Sequence, residues 1–354
     1  MSVIPFAFST QLPRVVFGAG SIRHLQREIE LLGSTRAIVL CTPEQRGSAD
    51  LVAAVLGDRC AGVFDGAVMH VPMEVAREAQ AFARKVGADC MVAIGGGSTT
   101  GLGKAIALES ALPILAIPTT YAGSEMTTIY GITENGLKKT GKDPRVLPKT
   151  VIYDPELTLT LPAGLSVTSG MNAIAHAAEG LYAQDANPIM SLIAEEAIRA
   201  MAQGLRRVHI DPLDIDARGD CLYGAWLCGI VLGSVGIALH HKLCHTLGGS
   251  YNLPHAETHT VVLPHAIAYN TPAAPDAVAR IARALGTDNA ARGLYDLAKS
   301  LGAPTALKDI GMPDGQLDRC AEIATQNAYW NPRPIEQAEI RSLLEAAYYG
   351  NPPA

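Results

Sequence analysis

The sequence predicts two domains in series: an α/β domain on a mostly parallel sheet over residues 1–161, then an all-α domain over 162–354. Three observations carry this. Short β-branched runs alternate with helical stretches as far as Val151-Ile152-Tyr153-Asp154. Strand-like runs then stop, and Pro-bounded helical patterns fill the remainder. Leu161-Pro162 marks the change of character. Strands separated by helices imply crossover connections, and those connections make a sheet parallel.

Ala37–Cys41 reads as a buried strand, Leu51–Leu56 as helix and Ala61–Phe64 as a short strand. Val75–Val86 has helical period. Cys90–Ile94 is a strand that runs straight into Gly95-Gly96-Gly97-Ser98, with a helix from Thr100 to Glu109 and a strand at Pro113–Ile117. Beyond the boundary, apolar residues at Met190, Ile193, Ala194, Ala197, Met201 and Leu205 form a helical stripe. The nearly apolar run Ala225–Leu239 reads as a buried core helix, because it falls short of the roughly 18–20 residues a membrane span needs.

Hydrophobic residues make up 48% and charged residues 18% of the 354 positions, which suits packed cores and excludes global disorder. A net charge of −6 repels phosphate backbones, so no nucleic-acid partner is expected. Nor is a membrane. The stretch Met1–Gly18 lacks the charged and apolar regions of a secretion signal, and a cytoplasmic location is expected. Seven dispersed cysteines without a Cys-x-x-Cys pair fit a reducing compartment better than a disulfide framework.

The order strand, Gly95-Gly96-Gly97-Ser98, helix is that of a phosphate-binding turn. Glycines allow close backbone approach, and the helix N-terminus offers free N–H groups and a positive dipole end. The usual G-x-G-x-x-G spacing is absent, and a tight turn without ligand is the plain alternative. Pro118-Thr119-Thr120-Tyr121-Ala122-Gly123-Ser124-Glu125 follows a buried strand and offers further hydroxyl donors.

Six of the ten histidines crowd into one stretch: His240, His241, His245, His255, His259 and His265. Asn172 and His176 are four apart, as are His241 and His245, so each pair shares a helical face. Converging imidazoles bind divalent metals or donate protons near neutrality. His259 and His265 are expected to serve core hydrogen bonds, and His176, His241, His245 and His255 a site. Asn172 offers only a neutral amide oxygen where a carboxylate binds a hard cation far better.

These motifs, with Lys104, Asp154-Pro155, Glu179, His245-Thr246-Leu247-Gly248 and Pro254-His255 in order, resemble the iron-containing (group III) alcohol dehydrogenases over nearly the whole chain. The resemblance implies a dehydroquinate synthase-like fold with an N-terminal dinucleotide-binding domain and a helical catalytic domain, and a homodimer. It implies NADH or NADPH held by Gly95, Gly96, Gly97, Ser98, Thr119, Thr120 and Ser124, with Lys139 as a further contact. Family metal-ligand positions match Asn172, His176, His241 and His255, and His245 matches a histidine close to the nicotinamide. Asn172, Gly101 and the shortened Tyr121-Ala122-Gly123 loop depart from the common pattern. With Asn331-Pro332-Arg333-Pro334, they resemble the maleylacetate reductase subgroup, understood to work without a metal.

That subgroup's reaction is reduction of the maleylacetate double bond to 3-oxoadipate. His241, His245 and His255 are then expected to stabilise the enolate and supply the proton, with His176 and Asn172 orienting them. A dicarboxylate substrate needs cationic partners, for which Lys242 and Arg333 are the candidates, with Tyr121 as a further pocket residue. Thr42, where an acid would repel a 2′-phosphate, implies that NADPH is accepted alongside NADH. Cys244 reads as a packing residue. The rival reading is a metal-dependent alcohol dehydrogenase using His176, His241 and His255.

Overall fold

The computed structural model describes residues 5–134, 137–326 and 329–353. They form two compact units, one spanning Gln11–Leu161 with Leu213–Leu222, the other Pro162–Pro212 and Tyr223 onward with the segment up to Thr10.

In the first unit the chain runs β1 (Arg14–Phe17), α1 (Leu25–Leu31), β2 (Ala37–Leu40), α2 (Arg46–Leu56), β3 (Cys60–Phe64), α3 (Met73–Lys85), β4 (Cys90–Gly95), α4 (Gly97–Ser110) and β5 (Ile114–Pro118). A hairpin, β6 (Ile129–Glu134) and β7 (Leu137–Lys142), precedes β8 (Thr150–Tyr153). Six strands form one sheet in the order β1-β8-β5-β4-β2-β3, every neighbouring pair parallel. The two-residue period of each strand divides its side chains between two cores. Ile38, Leu40, Met91 and Ala93 pack on one side; Ala37, Val39, Cys90, Val92 and Ile94 pack on the other. Both faces are covered, and that is why these strands read as unbroken apolar runs.

The remaining elements are helices, α5 (Ala163–Leu181), α6 (Pro188–Ile210), α7 (Ile215–Ser234), α8 (Leu239–Tyr251), α9 (His255–Asn270), α10 (Pro275–Leu285), α11 (Ala290–Ser300), α12 (Leu317–Thr325) and α13 (Gln337–Tyr349), and all belong to the second unit except the start of α7, up to Leu222. Asn187 caps α6 by accepting from the Met190 amide. α5 is buried almost throughout from Ser166. Small residues permit this: a Cβ on Gly170 would meet Leu205 at 2.7 Å, and one on Gly180 would meet Val231 at 2.1 Å.

Three sequence expectations need correction. Leu161/Pro162 does separate the two units, but residues 213–222, assigned to the helical domain, pack with the α/β unit. The cause is Arg218, fully buried, which donates to the Tyr121 hydroxyl at 3.2 Å and the Leu161 carbonyl at 2.9 Å. The segment up to Thr10 joins the helical unit instead, where the Thr10 and Ser234 hydroxyls lie 2.9 Å apart. Third, Ala225–Leu239 is not one helix. α7 ends at Ser234, α8 begins at Leu239, and their axes differ by 96°. Asp185 accepts from the Gly236 amide at the break, and Glu179 accepts from those of Ala238 and His240, so the bend leaves these groups satisfied. Among the described residues no single helix is long and apolar enough to cross a membrane.

Candidate active site

Asn172, His176 and Glu179 lie on one face of α5, at spacings of four and three. α8 carries His240, His241 and His245; α9 begins at His255 and carries His259 one turn later. The packing of these helices joins six imidazoles into one cluster. His176 and His241 stack with ring centres 4.9 Å apart, and His259 lies 5.0 Å from His241, 4.8 Å from His240 and 4.3 Å from His255. His245 flanks His241 at 6.2 Å.

The cluster is graded in depth. His240 and His259 are fully buried, His176 and His241 nearly so, while His245 and His255 are exposed. Desolvation holds His240 and His259 well below the usual histidine range, and neighbouring imidazoles push them the same way. Those two are neutral. Nε2 of His240 meets Nδ1 of His259 at 2.9 Å, so His259 makes a core bond while standing at the centre of the cluster. His265 is buried, and desolvation lowers it to about 4.

A chain of hydrogen bonds runs through the nearly buried pair. Oε2 of Glu179 lies 2.6 Å from Nδ1 of His241, whose Nε2 lies 2.8 Å from Nδ1 of His176. Asn172 is 6% exposed, and its Oδ1 accepts no hydrogen bond.

Of the expected substrate contacts, Lys242 is half-buried with its ammonium 5.5 Å from the centre of the Tyr329 ring. Arg333 is committed elsewhere. Its guanidinium pairs with Glu339, donates to the Tyr269 carbonyl at 3.0 Å and stacks 4.3 Å from the Tyr269 ring centre. Tyr121 is fully buried with its hydroxyl held by Arg218, which does not suit a pocket contact.

In the α/β unit the glycine loop and the threonine-rich loop leave the C-terminal ends of adjacent strands, where Gly95 pairs with Pro118. Open parallel sheets bind ligands at this edge. Gly95 has φ +148°, and a Cβ there would meet the Gln45 side-chain oxygen at 2.4 Å and the Thr99 hydroxyl at 2.5 Å. Only glycine fits. α4 starts at Gly97 with no side-chain cap, which leaves its first N–H groups for a ligand. Ser98, Thr120 and Ser124 are half-buried and Thr119 is buried, with Gln45 donating to the Thr119 hydroxyl at 2.7 Å. This cradle fits a pyrophosphate.

Lys104 fixes the second loop from below. Its buried ammonium donates to the carbonyls of Ser124 (2.7 Å), Thr127 (2.8 Å) and Ile129 (2.7 Å) and to the Thr127 hydroxyl (3.0 Å). Desolvation lowers it to about 7. Lys139 lies on the exposed hairpin, paired with Glu134 at 2.7 Å. Thr42 follows β2, and there an acid had gone unnoticed. Glu44 is held below the usual carboxylate range by its own amide and by the Thr42 hydroxyl. A Cβ on Gly101 already lies 2.8 Å from Val71, so the aspartate common at that position has no room here.

Residues 13–155 match the family described as iron-containing alcohol dehydrogenase, and residues 166–348 match the C-terminal part of the same family. The chain belongs to the iron-containing alcohol dehydrogenase family. It is 63% identical over 349 residues to the maleylacetate reductase of Burkholderia cepacia, covering 99% of each chain. The crystal structure of maleylacetate reductase from Agrobacterium tumefaciens superposes with a TM-score of 0.96 at 55% identity, over 99% of this chain and 100% of that one. The structure of maleylacetate reductase from Rhizobium sp. strain MTP-10005 gives a TM-score of 0.95 at 56% identity, over 99% of both. These relatives place the chain with the maleylacetate reductases of the family.

The family's name implies iron, and the residues at the four ligand positions are a poor match to it. Asn172 supplies no charge, and His176 and His241 already satisfy one another at 2.8 Å. Among the described residues, three ligand atoms within 4.8 Å of one another are offered by His240, Cys244 and His259, which are not these positions. A carboxylate binds a divalent cation far better than a neutral amide oxygen does.

Sequence reasoning had named Glu179 and His240 without giving them a role, and had passed over Gln45. Glu179 was readable as a third residue on the Asn172–His176 face. The other two depend on packing between segments distant in sequence.

Proposed function

We propose that this chain reduces the carbon–carbon double bond of maleylacetate to 3-oxoadipate with NADH or NADPH, and does so without a metal. The observation that carries the metal-free part is the Glu179–His241–His176 hydrogen-bond chain beside a neutral Asn172, with Asn172, His176 and His241 at positions that the family resemblance matches to metal ligands. NAD(P)H, when bound, supplies the hydride. The ketone conjugated to the double bond then gathers negative charge as an enolate, which needs donors. His245 and His255 are exposed, and their N–H groups are suited to that oxygen. His241, oriented by Glu179, holds His176 in place, and one of His245 and His255 passes a proton toward the carbon that the hydride does not reach. Asn172 adds a neutral amide contact, and Lys242 faces one substrate carboxylate. The glycine cradle and the Thr119–Thr120 loop hold the cofactor phosphates. A cytoplasmic homodimer serving the breakdown of aromatic compounds belongs to the same proposal, supported by the family resemblance.

The deciding experiment follows NADH absorbance with chelator-treated protein and freshly prepared maleylacetate. Steady consumption of NADH is expected, unchanged by added Fe²⁺ or Zn²⁺. A flat trace overturns the activity. Activity that appears only with Fe²⁺ or Zn²⁺ overturns the metal-free mechanism.

A further inference from the structure

Three buried ligand groups lie beside the proposed site and take no part in the reaction described above. His240 and Cys244 are one turn apart on α8, and His259 comes from α9; they are 0%, 2% and 0% exposed. Nε2 of His240 lies 2.9 Å from Nδ1 of His259 and 3.7 Å from Sγ of Cys244. We propose that His240, Cys244 and His259 form a binding site for a monovalent thiophilic cation, Cu⁺, distinct from the family's ligand positions.

The donor set selects the ion. One thiolate and two imidazoles are soft to borderline ligands, which favour Cu⁺ or Zn²⁺ over iron or magnesium. Coordination number narrows the choice. Zn²⁺ seeks four ligands, and at this depth only three are offered. Cu⁺ is content with three. Charge decides the rest. Cu⁺ with one thiolate and two neutral imidazoles is neutral, whereas Zn²⁺ would leave a net positive charge in a site with almost no solvent contact.

The geometry needs little change. Two imidazole nitrogens on one ion stand about 3.3–3.5 Å apart, given metal–nitrogen bonds of about 2.0 Å. The rings must part by roughly half an ångström. Protons balance as well. The cation bonds to sulfur and the thiol proton leaves to solvent. The proton shared between the facing nitrogens moves to the outer nitrogen of its own ring. Nothing is oxidised or reduced. The outer atoms, Nδ1 of His240 and Nε2 of His259, have no hydrogen-bond partner in the cation-free structure, so occupancy adds no new unpartnered group.

Burial keeps the Cys244 thiol protonated in the cation-free chain, and the nearby Glu179 charge acts in the same direction. The site is therefore unreactive as a nucleophile and open only to an ion that binds sulfur strongly. Occupancy would also reach the reaction. His240 precedes His241, and the His259 ring lies against those of His241 and His255. Holding His240 and His259 on an ion fixes these rings, so turnover is expected to fall in step with occupancy.

The test is an anaerobic titration of the full chain with Cu⁺ against a chromogenic Cu⁺ chelator, which requires neither substrate nor activity. One tightly held Cu⁺ per chain is expected, at least 100-fold weaker in Cys244→Ser and in His259→Gln and unchanged in Cys60→Ser and Asn172→Ala. No retained Cu⁺, or full retention in Cys244→Ser, overturns the site. So does loss in Cys60→Ser, which would mark a partly exposed thiol as the ligand. X-ray absorption on the wild-type complex guards against variants that fail to fold. One sulfur and two nitrogen neighbours are expected, and any other sulfur count overturns the proposal. Zn²⁺ retained in preference to Cu⁺ overturns the charge argument.

Discussion

Oε2 of Glu179 accepts a hydrogen bond from Nδ1 of His241 at 2.6 Å, and both side chains are buried. An ionised carboxylate only accepts, so Nδ1 of His241 carries the proton and its Nε2 presents a lone pair. That lone pair faces Nδ1 of His176, which must then donate. One carboxylate on α5 thus fixes the tautomers of two imidazoles. Its other oxygen accepts from the His240 amide at 2.7 Å, and the Ala238 amide adds a further bond at 3.0 Å.

Glu179→Gln keeps the volume but places an amide N–H against one of these donors. The imidazole loses its fixed tautomer. A loss of kcat/KM on the order of 10²–10⁴ is expected, by analogy with asparagine replacing the aspartate of a catalytic triad. Glu179→Asp should recover part of it. Steady-state kinetics with matched thermal melts separates this from unfolding. A folded Glu179→Gln variant with near wild-type kcat/KM would show that His241 is not positioned in this way.

Gly95→Ala tests the cofactor cradle. The residue's φ of +148° lies in a region essentially reserved for glycine, and the new methyl would collide with Gln45 and Thr99. Displacing the turn by even a few tenths of an ångström disturbs its approach to a pyrophosphate. NADH binding, read by fluorescence titration, is expected to weaken at least 10-fold. Unaltered binding would move the phosphate site elsewhere.

Glu44 bears on cofactor choice. A non-acidic Thr42 implied tolerance of the 2′-phosphate, yet the Thr42 hydroxyl contacts the Glu44 carboxylate just beyond β2. An acid in that region grips a ribose 2′-hydroxyl and repels a 2′-phosphate. Glu44→Gln is therefore expected to raise kcat/KM for NADPH relative to NADH by roughly 10-fold, about 1.4 kcal/mol of discrimination. A ratio that stays put assigns cofactor choice to another residue.

What the sequence made legible follows the range of the interactions. β4, its glycine turn and α4 are local: six residues of strand, three glycines and a helix start lie in one stretch, and period alone reveals them. The shared face of Asn172 and His176 is equally local. The polar hairpin strand β7, LKKTGK, carries no apolar period and pairs only because β6 lies beside it. Arg218 reads as an ordinary helical cation until its bonds to Tyr121 and Leu161 draw residues 213–222 into the α/β unit. The break between α7 and α8 was signalled by Gly233, Ser234 and Gly236, but an apolar composition suggested continuity. His240 and His259 are 19 positions apart and meet only when α8 and α9 pack.

His265 links stability to pH. Burial lowers it from the usual 6.5 to about 4, so the folded chain holds it neutral where the unfolded chain would protonate it. Between those values the unfolded state binds more protons, and stability falls as the pH drops from about 6.5 towards 4. Above 6.5 the group contributes no slope. The expected contribution is about 1.4 kcal/mol per pH unit. Urea unfolding at pH 7.5 and pH 5 should show His265→Leu losing less stability on acidification than wild type. Equal losses would place the acid sensitivity in other groups.

Asn172→Asp asks whether one carboxylate restores a cation site. Asn172 Oδ1 is buried without a hydrogen-bond donor, so an ionised aspartate there would have no neutralising partner. Leaving such a charge unpaired costs several kcal/mol, or drives its pKa upward. With chelator present, the variant should melt well below wild type. Fe²⁺ or Zn²⁺ should raise the melting temperature of the variant and not of the wild type, because His176 and His241 can then exchange their mutual hydrogen bond for a shared ion. Reduction of maleylacetate should fall in the metal-loaded form, since the ion breaks the His241–His176 hydrogen bond that orders the site. A variant indifferent to both ions would show that more than the missing carboxylate separates this cluster from an iron site.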